Sequence, residues 1–231
     1  MKKIVLLLAS FVQVCAYNIA NLDIKPGNSV FVFDLHGVVL DKNGESNKLF
    51  FRHPNKGTFL NRLRKCGTKI FTADTDIAIE ELTIKEGDTS EYVDATLELV
   101  NAYIPNEKML NLIESLHGKG FKVFGCSNIG PKSLEFLKNK FVRLADIFDR
   151  CFTGFQIPTQ ENGFLTKMNP ETYKELKTKI YNKGLQPRYI FLIDDSPKKI
   201  DAAEKAVAEF KGIEFKSAVE LEKILKHKKI I

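Results

Sequence analysis

Three short runs of apolar residues constrain the fold of this chain more than any other feature. They lie at residues 29–33, 122–126 and 189–193, and each is rich in aromatic and β-branched residues. Runs that stay apolar throughout are typical of strands buried on both faces of a parallel sheet. Helical patterns separate the runs along the chain. The sequence therefore predicts an α/β fold in which helices flank a parallel sheet.

The helical segments are indicated by the spacing of their apolar residues and by proline or glycine at their ends. They are predicted at residues 107–116, 131–140, 170–181 and 197–210. The stretch at 41–105 interrupts the alternation of strands and helices and is partly helical in pattern. We interpret it as an insertion that covers the carboxyl edge of the sheet. The predicted core is then made of residues 28–40 and 106–231.

The first residues have the features of an export signal. Lys2 and Lys3 precede an apolar run at 4–14 that is too short to span a membrane, and Val14 and Ala16 fit a cleavage site. We interpret residues 1–16 as a cleaved signal peptide, in preference to a buried first strand or a membrane anchor. The mature protein, residues 17–231, is then expected in the periplasm or the medium, with no stable membrane anchor. One disulfide is permitted there among three cysteines, with no pair favoured: Cys66, Cys126 and Cys151.

Composition and charge exclude several classes of protein. With 231 residues and 44% hydrophobic content, the chain can bury one substantial core and a small accessory domain. The formal net charge is +6, but lysine and arginine are dispersed rather than clustered. A dispersed basic surface indicates a solvated face, so no nucleic-acid partner is expected. No cysteine or histidine spacing indicates zinc.

Polar residues directly follow each of the three apolar runs. Asp34 follows the first run, Ser127 the second, and Asp194 with Asp195 the third. The carboxyl ends of strands in an open α/β sheet converge on the ligand crevice, so these side chains are expected to meet. Three carboxylates in one small volume are costly without cations. A bound divalent cation is the natural compensation, and Mg²⁺ suits carboxylates together with phosphate oxygens.

These residues resemble the four motifs of the haloacid dehalogenase-like (HAD) hydrolase superfamily. The matches, in chain order, are Asp-Leu-His-Gly-Val-Val at 34–39, Ser127-Asn128, Lys-Met-Asn-Pro at 167–170 and Ile-Asp-Asp-Ser-Pro at 193–197. They fall within residues 29–215. The long interval before Ser127 corresponds to the place where helical-cap members carry their cap. The resemblance implies a Rossmann-like core with a small, mostly helical cap inserted after the first strand.

The resemblance also implies an activity, the Mg²⁺-dependent hydrolysis of a phosphate monoester through an aspartyl-phosphate. Asp34 would be the nucleophile and a metal ligand. The backbone carbonyl of His36 would bind the same metal. Asp194, directly or through water, and Asp195 would complete the metal site. The expected partner is a small phosphorylated metabolite.

The remaining motif residues would handle the phosphoryl group. Ser127, Asn128 and Lys167 would bind its oxygens, and Lys167 would also position the nucleophile. Two positions depart from the family pattern. His36 stands where phosphatases have a second aspartate, and imidazole can take over the acid and base roles. Met168 follows the lysine where proline is common, which is a milder change.

Two alternative functions stay open. One is a HAD-like binding module with weak or no catalysis, because His36 replaces the usual acid. The other is a metal-independent, dehalogenase-type hydrolase, because dehalogenases of the family also lack the second aspartate. The acidic pair Asp194-Asp195 favours phosphoryl chemistry over this last alternative.

Overall fold

A computed structural model describes residues 22–42, 102–129, 131–156 and 167–231. The predicted signal peptide at 1–16, Cys66 and nearly all of the predicted cap at 41–105 lie outside the described residues. The division of the chain into a core and a cap therefore stays a prediction.

Five of the seven described strands form one parallel sheet, in the order β5-β4-β1-β6-β7. The strands are β1 (Ser29–Phe33), β2 (Leu40–Lys42), β3 (Tyr103–Pro105), β4 (Lys122–Cys126), β5 (Phe152–Gln156), β6 (Tyr189–Asp194) and β7 (Phe210–Glu214). From the central β1 the chain first builds one half of the sheet through β4 and β5. It then crosses back to build the other half through β6 and β7. Ligands of open α/β sheets bind where the strand order reverses in this way.

Helices cover both faces of this sheet. They are α1 (Glu107–Gly118), α2 (Pro131–Lys140), α3 (Val142–Cys151), α4 (Pro170–Asn182), α5 (Pro197–Ala206) and α6 (Ala218–His227). Alternate residues of β1 reach the two faces. Phe31 and Phe33 join a core with residues of α1, α2, α3 and α6, whereas Val30 and Val32 join a core with residues of α4 and α5. The α/β class and the flanked parallel sheet are confirmed.

Four boundaries differ from the predictions. The helices predicted at 107–116 and 170–181 end slightly later, at Gly118 and Asn182. The strand predicted at 189–193 extends by one residue, so that Asp194 belongs to β6. The helix predicted at 197–210 ends at Ala206. Phe210 instead begins β7, pairs with Ile190 and buries its ring against Tyr173, with the ring centroids 5.4 Å apart. Burial of the Phe210 ring in the sheet core thus favours a strand at this position over a longer helix.

The described cysteines are structural. Cys126 and Cys151 are both buried free thiols. Burial raises the pKa of the Cys126 thiol to about 12, so it stays protonated and unreactive. Within the described ranges, no helix is both long and apolar enough to cross a membrane.

A second, two-stranded sheet stands beside the carboxyl end of β1. Strands β2 and β3 pair antiparallel, with Lys42 opposite Tyr103 and Leu40 opposite Pro105. The Asn106 N–H donates to the Val39 carbonyl at 2.9 Å and ties β3 to the loop after β1. The end of β2 and the start of β3 are therefore adjacent in space, beside the carboxyl end of β1.

Candidate active site

Three neighbouring strands bring their polar terminal residues together. Asp34 follows β1, Asp194 ends β6 and Ser127 follows β4. The Asp34 N–H donates to the Ile193 carbonyl at 2.9 Å, which continues the β1–β6 ladder to the nucleophile position. The three side chains are buried, at 2%, 0% and 1% exposure respectively. The convergence of these side chains predicted from the apolar runs is thus present at the strand ends.

Lys167 connects the two buried carboxylates. Its Nζ lies 2.6 Å from Asp34 Oδ1 and 2.6 Å from Asp194 Oδ2, and its side chain is fully buried. Burial alone would lower the pKa of Lys167, but the two carboxylates outweigh it and raise the pKa. The backbone N–H of Lys167 donates to Asn128 Oδ1 at 3.0 Å. Asn128, predicted to bind phosphate, therefore also fixes the position of the lysine.

A second lysine at the site was missed by the reasoning from sequence. Lys199, in the first turn of α5, places its Nζ 3.2 Å from Asp34 Oδ2 and 3.6 Å from Asp194 Oδ1. The signal that could have found it is its position. Lysine near a helix N-terminus is unfavourable unless carboxylates lie close by, and the pair Asp194-Asp195 directly precedes this helix.

The charges of the cluster keep the nucleophile candidate ionised. Burial alone would raise the pKa of the Asp34 carboxyl, but the ammonium groups of Lys167 and Lys199 outweigh it and hold the pKa below its ordinary value. Burial raises the pKa of Asp194. Backbone N–H groups support both carboxylates, from Leu35 to Asp34 Oδ1 at 2.7 Å and from Ser196 to Asp194 Oδ1 at 2.9 Å.

Asp195 completes a set of three carboxylates. Asp34, Asp194 and Asp195 have carboxylate oxygens within 4.8 Å of one another, and Asp195 is exposed. Oxygen donors of this kind and spacing fit Mg²⁺. Lys167 and Lys199 already neutralise part of the negative charge. The compensation predicted to come from a divalent cation alone is thus partly supplied by the chain itself.

His36 lies between this cluster and β3. Its imidazole packs against the ring of Tyr103, with centroids 4.3 Å apart. Its Nε2 is buried and has no hydrogen-bond partner among the described residues. Burial lowers the pKa of the imidazole to about 4, against the opposing charge of Asp34. The sequence did not single out Tyr103. Its pKa is raised by burial and by the charges of Asp195 and Asp34, so this phenol also lies within the electrostatic field of the site.

Comparison with known proteins gives structural relatives only. No protein-family model matches the sequence, and no curated protein matches it significantly. Among solved structures, a HAD-family enzyme of Bacteroides thetaiotaomicron superposes with a TM-score of 0.58 at 17% identity, over 82% of this chain and 95% of that one. That structure is of a variant with one aspartate replaced by alanine, in complex with magnesium and inorganic phosphate.

Two further structures show the same likeness. The L-2-haloacid dehalogenase of Xanthobacter autotrophicus, with chloropropionic acid covalently bound, gives a TM-score of 0.56 at 15% identity, over 88% of this chain and 84% of that one. A predicted HAD-like family hydrolase of Porphyromonas gingivalis gives a TM-score of 0.56 at 19% identity, over 80% of this chain and 90% of that one. The chain thus has the haloacid dehalogenase-like fold, as its motifs predict.

Proposed function

We propose that the protein is a Mg²⁺-dependent phosphate monoester hydrolase that works through an aspartyl-phosphate on Asp34. One observation carries this proposal: an ionised carboxylate at the end of the central strand is held by Lys167 and lies within 4.8 Å of the Asp194 and Asp195 carboxylates. The complex of a structural relative with magnesium and inorganic phosphate supports it. The proposed substrate is a small phosphorylated metabolite.

The reaction divides into two displacements. The Asp34 carboxylate attacks phosphorus, a bond forms between its oxygen and phosphorus, and the ester P–O bond breaks. The leaving oxygen takes its proton from solvent. Water then attacks the aspartyl-phosphate, which releases inorganic phosphate and regenerates Asp34. Burial keeps the His36 imidazole uncharged at neutral pH, so its Nε2, which has no partner among the described residues, is the candidate base for the proton of the attacking water.

In this proposal the phosphoryl group is positioned by residues that lie at the strand ends. Lys167 holds Asp34 and places a positive charge beside the oxygens of the transferred group. Ser127, at the end of β4, donates its hydroxyl, and Asn128 fixes Lys167 and contributes its amide. Mg²⁺, held by Asp34, Asp194, Asp195 and the backbone carbonyl of His36, would neutralise phosphoryl charge when bound.

The test is hydrolysis of p-nitrophenyl phosphate with and without Mg²⁺. We expect Mg²⁺-dependent turnover in the wild type and a loss of about three orders of magnitude in Asp34→Asn. Asp201→Asn is the matched control, because Asp201 is an exposed aspartate that pairs with Lys205 on α5. Its activity should equal that of the wild type. Phosphate and metal binding without turnover of any phosphate ester would instead establish the non-catalytic binding module.

A second candidate is carbon–halogen hydrolysis without a metal. The observation that favours it is that both carboxylate oxygens of Asp34 already contact a lysine, Lys167 on Oδ1 and Lys199 on Oδ2. Asp34 would attack the halogen-bearing carbon, halide would leave, and water would hydrolyse the ester. Halide release from 2-chloropropionate in the presence of EDTA would establish this activity. If no halide is released while phosphate is released in a Mg²⁺-dependent reaction, the first proposal is supported and the second is refuted.

A further inference from the structure

Lys199 occupies the oxygens on which the proposed Mg²⁺ depends. Its Nζ contacts Asp34 Oδ2 at 3.2 Å and Asp194 Oδ1 at 3.6 Å, and both carboxylates belong to the three-carboxylate set. An ammonium group and a divalent ion repel each other strongly at such distances in a partly buried site. The two cations therefore compete for the same two carboxylates.

The two lysines of the cluster differ in how firmly they are held. Lys167 is fully buried and makes two contacts of 2.6 Å. The Lys199 side chain is 23% exposed, and its contacts are longer. A partly exposed ammonium can move into water at little cost in solvation, whereas a buried one cannot. Only Lys199 has a path away from the carboxylates.

The backbone of Lys199, in contrast, is fixed. The hydroxyl of Tyr173 on α4 donates to the Lys199 carbonyl at 3.0 Å. The Lys199 N–H donates to the Ser196 carbonyl at 3.1 Å. Tyr173 is itself among the most completely buried side chains. A change of occupant at the carboxylates therefore needs only rotation of the lysine side chain, with α5 in place.

We propose that Lys199 is a displaceable internal cation, which holds Asp34 and Asp194 together until Mg²⁺ replaces it. The inference deepens the proposed function and rests on its use of a metal. Lys199 reduces repulsion between the carboxylates in the metal-free protein, and it weakens Mg²⁺ binding because the ion must expel the ammonium group. It thereby sets the Mg²⁺ concentration at which the site is loaded.

The first test is calorimetric titration of the purified protein with Mg²⁺, in the absence of any substrate. We expect Lys199→Met to bind Mg²⁺ at least about tenfold more tightly than the wild type, a difference of about 1.4 kcal/mol. Lys198→Met is the matched control, because Lys198 is the exposed neighbour on the same helix turn. It should bind within about twofold of the wild type. Equal or weaker binding by Lys199→Met, or no binding by either protein, would overturn the inference.

The second test uses the wild type and does not depend on folding of a variant. Brief labelling with acetic anhydride, read by mass spectrometry, reports how accessible each lysine amine is. Added Mg²⁺ should increase labelling of Lys199 several-fold, leave Lys198 unchanged and leave Lys167 protected. Unchanged labelling of Lys199 at saturating Mg²⁺ would refute the exchange.

Both readouts are independent of turnover, so the two proposals can fail separately. Tight Mg²⁺ binding by Lys199→Met in a protein that hydrolyses no phosphate ester would keep the exchange and refute the phosphatase. Mg²⁺-dependent hydrolysis with identical Mg²⁺ affinities in Lys199→Met and the wild type would keep the phosphatase and refute the exchange.

Discussion

The carboxylate of Asp195 lies so close to Gly37 that a Cβ at residue 37 would fall well inside van der Waals contact with Asp195 Oδ2. Gly37 also has a positive φ of 82°, a conformation that side-chain-bearing residues rarely adopt. The glycine that turns the chain after β1 is thus also the surface against which the exposed carboxylate of the cluster rests. The backbone conformation of Gly37 and its close approach to Asp195 can be tested separately by mutation.

Gly37→Ala should weaken Mg²⁺ binding by about tenfold or more, because the added methyl group pushes Asp195 away from the other two carboxylates. It should also cost about 1–2 kcal/mol in the free energy of unfolding, owing to the left-handed backbone. Gly184→Ala is the matched control, with a φ of 75° and no atom within 4 Å of the added Cβ. It should show a similar loss of stability with unchanged Mg²⁺ affinity. Calorimetry and urea unfolding measure the two quantities, and equal Mg²⁺ affinities in the two variants would contradict the prediction.

Lys167→Met should destabilise the protein by about 3–5 kcal/mol, because it leaves two buried carboxylates without their central cation. Lys177→Met removes a lysine of the same length from a part-exposed pair with Glu209, whose side chains are 30% and 26% exposed. That change should cost about 1 kcal/mol or less. Urea unfolding of the two variants gives the comparison. Similar losses would mean that the buried cluster does not depend on Lys167.

His36→Ala should lower the turnover of an aryl phosphate by about two to three orders of magnitude while leaving the affinity for inorganic phosphate within about threefold. The reason is that the imidazole is proposed to move protons rather than to bind the phosphoryl group. His117→Ala, on the exposed side of α1, should change neither quantity. Full activity in His36→Ala would remove the imidazole from the mechanism. His36→Asp, which restores a carboxyl group, should recover part of the turnover.

The pair between Lys177 on α4 and Glu209 before β7 should make stability depend on pH. The hydrogen bond from Lys177 lowers the pKa of Glu209 below 4.5, so the folded protein favours the charged carboxylate. The stabilisation is therefore present above pH 4.5 and is lost as the pH falls through the lower, folded-state pKa. The wild type should be more stable than Glu209→Gln at pH 6, and the difference should vanish once the pH is below the folded-state pKa of Glu209. Thermal unfolding of both proteins between pH 6 and low pH measures this difference in stability. A difference that grows toward low pH would show that the pair does not favour the charged form of Glu209.

The sequence predicted the strands that carry the site because those strands are buried on both faces. β1, β4 and β6 lie in the middle of the sheet, where helices on both sides favour apolar residues at nearly every position; the exposed Lys122 at the start of β4 is the exception. The edge strands β5 and β7 were not predicted. Each has a neighbour on one side only among the described strands. Their sequences, Phe-Thr-Gly-Phe-Gln and Phe-Lys-Gly-Ile-Glu, mix polar residues and glycine. Partial burial removes the signal that an apolar run would give.

The two lysines of the site also differ in whether the sequence identifies them. Lys167 could be proposed because it lies within a recognisable motif at 167–170, before a helix that opens with proline. Lys199 is one of 35 lysines and arginines, and its position in the first helical turn after Asp194-Asp195 is shared with Lys198, so the sequence does not single it out. Its importance arises from the path of the chain, which directs the first turn of α5 back over the ends of β1 and β6. Contacts between residues 165 positions apart, such as Lys199 with Asp34, are set by tertiary structure.

The antiparallel pairing of Lys42 with Tyr103 has a consequence for how this protein can be altered. Two strands paired in this way lie about 5 Å apart, and a two-residue turn is enough to join them. The chain therefore departs at Lys42 and returns at Tyr103 from adjacent positions on the core. If the stretch between them is the predicted cap, its length and sequence can change without altering the path of the strands that carry Asp34, Ser127 and Asp194. In the proposed hydrolase, selectivity for the organic part of a substrate could then be engineered separately from the chemistry at Asp34.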